Sequence, residues 1–239
     1  MSQSQLTSSK PRRSNRKVPE LVNGDHLDQR TFHERYEAMP ENVRAELIGG
    51  IVYMSSPLKV PHGSRHFRLV GWLDAYIAAT PGIEGLDNTT VILGEFSEPQ
   101  PDASLMVLPE FGGQAHISDD DYVVGCPELV AEVAASSEAI DLREKRHDYE
   151  CAGALEYLVV VLREKKVVWF ARKNPKRHLT ELQPSSDGFF HSPFFGGLWL
   201  DAAALLRRDT ARVHEVVRLG LASPEHADFV KKIERKSKS

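Results

Sequence analysis

Glu132 stands inside the apolar run Leu129-Val130-Ala131-Glu132-Val133. A carboxylate there is costly to bury unless a partner or a metal compensates it. Asp102, after Pro101, opens another apolar run, Ala103 to Leu108, and Lys145 follows Glu132 on a charged segment that can reach the same end of a sheet. Hard cations such as Mg²⁺ take oxygen ligands, commonly one or two carboxylates plus water and substrate phosphate oxygens. Held in this way, such an ion activates water and neutralises charge on a phosphodiester. A nearby ammonium orients that water or stabilises the developing negative charge. Two carboxylates and a lysine in this order therefore suit metal-dependent phosphodiester hydrolysis. Each residue also has a plainer reading. Pro-Asp is a common turn dipeptide, and Lys145 lies four residues after Asp141, where the two can simply pair on a helix. His62 and His66 share a spacing that puts both on one helix face, but no third ligand follows at metal-binding spacing.

The elements that would carry these residues can be read along the chain. Thr31-Phe32-His33-Glu34 resembles a capping box opening a short helix that ends near Pro40. Gly49-Gly50, between Ala45–Ile48 and Ile51–Met54, predicts a tight hairpin with Glu46 in its first strand. A helix is expected from about His62 to Thr80, with Phe67, Val70, Leu73 and Ile77 as its apolar face. Strands are expected at 89–93, 103–108, 129–133, 156–161 and 166–170, the last two joined as a hairpin. Between the strands holding Glu132 and Glu156, Ser136-Ser137 opens a helix that closes on Gly153. A second antiparallel pair is expected between 179–182 and 189–190. Beyond Asp209, Val213, Val216, Val217 and Leu221 predict an amphipathic helix, and Ser223-Pro224-Glu225 opens another. The architecture is thus α/β, a mixed sheet flanked by helices, with extra antiparallel hairpins and a helical C-terminal extension. The expected divisions are a disordered basic tail over 1–24, the main domain over 25–208 and the extension over 209–239.

Composition narrows the classes. The chain has 239 residues, enough for one good core, and no run of 18 apolar residues that would span a membrane. No signal-like segment opens it, so a cytoplasmic location is expected. Cys126 and Cys151 form no CxxC pair and read as two buried structural thiols. The net charge of −4 conceals a basic stretch, residues 1–17, that holds five Lys or Arg and no acid, so the remaining body is acidic. An acidic body binds nucleic acid poorly without local basic patches or bound cations.

The motif order Ala45-Glu46-Leu47-Ile48-Gly49-Gly50, His62, Pro101-Asp102, Pro127 to Val133, Asp141, Lys145, Tyr149, Gly153 and Glu156-Tyr157 resembles the Uma family of putative restriction endonucleases, within the PD-(D/E)xK nuclease superfamily. The resemblance covers roughly residues 28–206. It implies a restriction-endonuclease-like core and a Mg²⁺- or Mn²⁺-dependent endonuclease acting on DNA. It assigns Asp102 and Glu132 to the metal and to catalysis, with Glu46 and the backbone carbonyl of Val133 as further ligands. The superfamily lysine belongs two residues after Glu132, where Ala134 stands, and Lys145 matches the family's displaced lysine. His62 and Tyr149 are accessory candidates, each with a structural role as its alternative. The competing class is a catalytically inactive nuclease fold that binds nucleic acid or a protein. The C-terminal helices offer a surface through which a homodimer could form.

Overall fold

The computed structural model describes residues 18–135, 137–174 and 178–238. Residues 1–17, which hold most of the expected basic tail, lie outside this description, as does Ser136. Among the described residues the chain forms α1 (Gln29–Glu37), the hairpin β1 (Ala45–Ile48) and β2 (Ile51–Met54), α2 (Val60–Ile77), β3 (Ile83–Asp87), β4 (Val91–Ile92), β5 (Ala103–Val107), β6 (His116–Ile117) and β7 (Val123–Val124). It continues with β8 (Leu129–Ala134), a helical segment α3 over 138–152, β9 (Glu156–Val161), β10 (Lys166–Ala171) and β11 (Thr180–Glu181). The last elements are β12 (Phe190–His191), β13 (Trp199–Leu200), α4 (Ala202–Arg207), α5 (Thr210–Leu221) and α6 (Pro224–Lys236).

The central sheet has the order β11-β10-β9-β8-β5-β3. Only β8 and β9 run parallel, and α3 is the crossover that parallel neighbours require. Both strands are buried along their whole length, which explains their near-continuous apolar sequence. On one face Leu129, Ala131, Val133, Leu158 and Val160 meet Trp72 and Tyr76 of α2 and Val213, Val217, Phe229 and Ile233 of α5 and α6. On the other, Val130, Ala134, Val159 and Val161 pack with Tyr149 of α3.

Several expectations meet corrections with identifiable causes. Asp28, not Thr31, caps α1, its carboxylate accepting from Thr31 N–H; aspartate also competes well at this position. Of the expected α2 face, Leu73 is buried and Val70 and Ile77 pack against the core, but Phe67 is 79% exposed, and His62, Leu69, Trp72 and Tyr76 point inward as well. The two large aromatics with polar tips win the core because partners await them, Trp72 Nε1 donating to Trp199 O and Tyr76 OH to Gly196 O. The late strands pair differently as well. β11 extends the main sheet against β10, and β12 pairs with β13. Residues 18–24, expected in the tail, are in part built in, with Leu21 buried beside Phe32, Leu47 and Val52. Residues 209–239, expected as an extension, share the main core through α5 and α6. The hairpin at Gly49-Gly50 has the expected positive φ at both glycines, 57° and 79°.

Candidate functional site

Register explains why Asp102 and Glu132 meet. β5 and β8 are antiparallel with Ala103 opposite Ala131, so Asp102, one residue before β5, falls opposite Glu132. The main-chain N–H of Asp102 lies 3.4 Å from Glu132 Oε2. Asp102 Oδ2 accepts from the N–H of Val133 at 2.7 Å and from His62 Nε2 at 3.2 Å. Among the described residues no protein donor reaches Asp102 Oδ1.

Lysine 145 arrives from above this pair. The chain leaves β8, turns, and sends α3 back over the sheet, so a residue thirteen positions after Glu132 returns to it. Lys145 Nζ lies 3.0 Å from Glu132 Oε1, 2.8 Å from Glu46 Oε1 and 3.8 Å from Asp141 Oδ1. Glu46 is held in turn by the Gln100 N–H, which donates to its Oε1 at 2.7 Å. Tyr149 donates to Glu132 Oε1 at 3.3 Å. The five residues Asp141–Lys145 form a π-helical turn inside α3. An α-helix drifts by about 40° over four residues, and the wider i→i+5 turn offsets this drift. Asp141, Lys145 and Tyr149 are all buried as a result.

The electrostatics follow from crowding. Three carboxylates (Glu46, Glu132, Asp141) surround one ammonium, with Asp102 and the imidazole of His62 alongside. Burial pushes the Glu132 carboxyl well up, against the pull of Lys145. Burial likewise raises Asp141 to about 6, again opposed by Lys145. Burial would lower Lys145, but Glu132, Glu46 and Asp141 outweigh it and hold the ammonium firmly protonated. Asp102 behaves differently. Burial pushes it up, yet the hydrogen bond and charge of His62 and the N–H of Val133 prevail, leaving it below the usual carboxylate range. The same hydrogen bond raises His62.

All the residues singled out in the sequence, Glu46, Asp102, Glu132, Lys145, His62 and Tyr149, therefore come together. At Val133 the observed contact is its N–H on Asp102 rather than a carbonyl contact. The structure also supplies the third group that the His62/His66 spacing lacked: His62, His66 and Asp102 offer ligand atoms within 4.8 Å of one another. His66 Nε2, however, sits 2.8 Å from Asp102 O and 2.9 Å from Asp87 Oδ1. Two oxygen acceptors there make it a donor, which positions the start of β5. Asp141 and Gln100 were missed as site residues; the i,i+4 spacing of Asp141 to Lys145 was visible, whereas the role of Gln100 rests on its backbone and left no sequence signal.

The donor set fits a hard divalent cation. Glu132 Oε2 has only a long contact, Asp102 Oδ1 has none among the described residues, and the two residues stand opposite each other in register. Four carboxyl groups face one ammonium and one imidazole, an acid-rich cluster of oxygen ligands that a divalent cation suits.

Comparison with known proteins agrees with this architecture. A crystal structure described as a putative nuclease belonging to DUF820 from Anabaena variabilis ATCC 29413 superposes with a TM-score of 0.58 at 13% identity, covering 73% of this chain and 97% of that one. The likeness places the mixed sheet and its flanking helices in a restriction-endonuclease-like fold. No curated protein matches the chain. The family model for Uma2, putative restriction endonuclease, matches residues 32–203. That span contains every site residue described above and supports a nuclease function. The chain belongs to the Uma2 family of putative restriction endonucleases.

Proposed function

We propose that the protein is a Mg²⁺- or Mn²⁺-dependent endonuclease that hydrolyses phosphodiester bonds in DNA. The observation that carries this reading is the pairing of Asp102 with Glu132 across the β5/β8 register, with the Lys145 ammonium bridging Glu132 and Glu46. Asp102 and Glu132 would hold the cation, with Glu46 and the Val133 carbonyl as further ligands. When bound, the ion supplies an activated water and charge neutralisation at the phosphate.

The chain's own groups have distinct tasks. Asp102 stays ionised because His62 and the Val133 N–H stabilise its charge. Lys145 is a fixed cation; with three carboxylates favouring its protonated form it orients water or offsets the charge developing on the phosphate, and it does not take the proton. Tyr149 and Asp141 hold Glu132 and Lys145 in place. Among the described residues His62 has a buried Nδ1 without a protein partner, which suits a group that meets a ligand.

The test is cleavage of supercoiled plasmid and of single-stranded DNA and RNA with Mg²⁺ or Mn²⁺, comparing the wild type with Asp102→Ala and Lys145→Ala. The wild type should cut DNA and both variants should fail. Equal cutting by all three would overturn the proposal. Tight DNA binding with no cutting under any metal would point instead to a binding module.

A further inference from the structure

We infer that Arg65, Arg68 and Arg208 form a phosphate-binding rim beside the carboxylate site that seats the sugar-phosphate backbone of a duplex next to the scissile bond; this rests on the nuclease reading above and names where its substrate is gripped.

The three arginines come from two elements. Arg65 and Arg68 follow His62 along α2, and Arg208 closes α4. Arg65 is one helical turn, about 5 Å of axis, beyond His62, so it adjoins the side of α2 from which His62 reaches Asp102. Arg68 Nε donates to Arg208 O at 3.3 Å, and Arg65 Nη2 to Leu206 O at 3.3 Å. The remaining contacts are with carbonyls and a hydroxyl of α2 itself: Arg65 with Pro61 O, and Arg68 with Ser64 O and Oγ. Among the described residues none of the three has a carboxylate partner. Asp209 is adjacent in sequence, but its carboxylate is committed to the Arg212 N–H at the start of α5.

Gathering like charges without an acid is unfavourable, and the strain is visible. Burial and the charges of Arg208 and Arg68 together push the Arg65 guanidinium below its ordinary range, and its Nε is buried without a partner. Arg208 adds a backbone cost. Its φ of +68° places a residue with a side chain in the left-handed region at the end of α4, where glycine is the favourable residue. Strain kept at one position is a pointer to function. An anion with two or more acceptor oxygens offsets the crowded positive charge, and guanidinium groups match phosphate oxygens in pairs. In an otherwise acidic body, such a local patch is what binding a polyanion requires. The competing account is purely structural: Arg65 and Arg68 cap the last carbonyls of α4, which would stabilise that helix end whether or not nucleic acid binds.

The experiment measures binding of a short labelled DNA duplex by fluorescence anisotropy, in Ca²⁺, over about 50 to 200 mM salt. It compares wild type, Arg208→Gly, Arg68→Gln and the double variant, with thermal melting of each and plasmid cleavage run separately. Arg208→Gly should melt no lower than wild type, because glycine accepts the positive φ, yet bind several-fold more weakly. The slope of log K against log salt should become shallower by about one for each arginine removed. Wild-type affinity and slope in both single variants would overturn the rim, as would a wild type that binds no duplex. A wild type that cuts plasmid while the variants bind like it leaves the nuclease reading standing without the rim. An arginine-dependent grip with no cleavage leaves the rim standing and removes the nuclease reading.

Discussion

Two glutamates on neighbouring strands of one sheet are both buried, and they live in opposite environments. Glu156 opens β9 on the face that packs against α2 and α5; its oxygens accept from Trp169 Nε1 at 2.9 Å, Ser192 Oγ at 2.5 Å and the Phe194 N–H at 2.9 Å. Every partner there is neutral, and both carboxylate oxygens accept short hydrogen bonds. Glu132, near the end of β8 on the other face, meets a lysine at 3.0 Å, a tyrosine at 3.3 Å and three further carboxylates nearby, and one of its oxygens has only a long contact. Burial alone therefore does not mark a site. What marks it is a charge balanced by charge, with lone pairs left over. Glu156 ties the segment around Ser192 to the sheet, whereas Glu132 belongs to a cluster whose negative charge exceeds its positive charge.

The sharpest way to break this contrast is to remove the cation at one site and the carboxylate charge at the other. Lys145→Ala should lower cleavage by about 10²–10³-fold, the scale for losing one preorganised charge-stabilising group, while Glu156→Gln should leave the rate per folded molecule within about threefold of wild type. A comparable rate loss in both would erase the distinction. Next in size is metal binding. Mn²⁺ titrated calorimetrically should bind wild type and Glu156→Gln alike and bind Asp102→Asn at least about tenfold more weakly; equal affinity in all three would place the ion elsewhere.

Stability against pH gives a third, smaller effect. Burial pushes the Glu156 carboxyl up to about 7, with its hydrogen bonds opposing the shift. In the unfolded chain the group titrates near the usual 4.5. Between these values the folded state binds more protons than the unfolded state, so stability falls as pH rises from about 4.5 through 7. Roughly 3 kcal/mol is at stake, the free-energy equivalent of moving this carboxyl from 4.5 to about 7. Melting of wild type should therefore be higher at pH 5.5 than at pH 8, and Glu156→Gln should flatten that difference; an unchanged slope would show that other buried acids govern it. The smallest effect belongs to Tyr149→Phe, which removes one hydrogen bond to Glu132. Chemical denaturation should register a loss of about 1 kcal/mol, with cleavage still measurable.

The parts of this molecule that could be read from sequence share a physical cause. The Gly49-Gly50 turn, the Gly153 helix end and the apolar strands at 103–107, 129–134 and 156–161 are set by local steric and burial rules. The convergence of Glu46, Asp102, Glu132 and Lys145 was anticipated through the motif order, because spacing alone does not reveal that Asp102 falls opposite Glu132 in register. The face of α2 is legible at Val70, Leu73 and Ile77 but not at Phe67, which outranks Trp72 and Tyr76 in simple apolar spacing but lacks the hydrogen-bond partners that hold those two inside. Pairing of β12 with β13 and docking of α5 and α6 into the main core depend on long-range packing. Glu156 was legible only as a strand residue; nothing local announces that Trp169, Ser192 and Phe194 will gather around it.

The π turn at Asp141–Lys145 has a consequence for how this helix can change over generations. A wide turn inside an α-helix behaves as one surplus residue, absorbed locally. Deleting a single residue there would restore an ordinary α-helix and leave the segments before and after it nearly in phase. Lys145 and Tyr149 would keep their face, and only the packing around the turn would change. A lineage could thus gain or lose one residue at this point while the groups around Glu132 stay where they are.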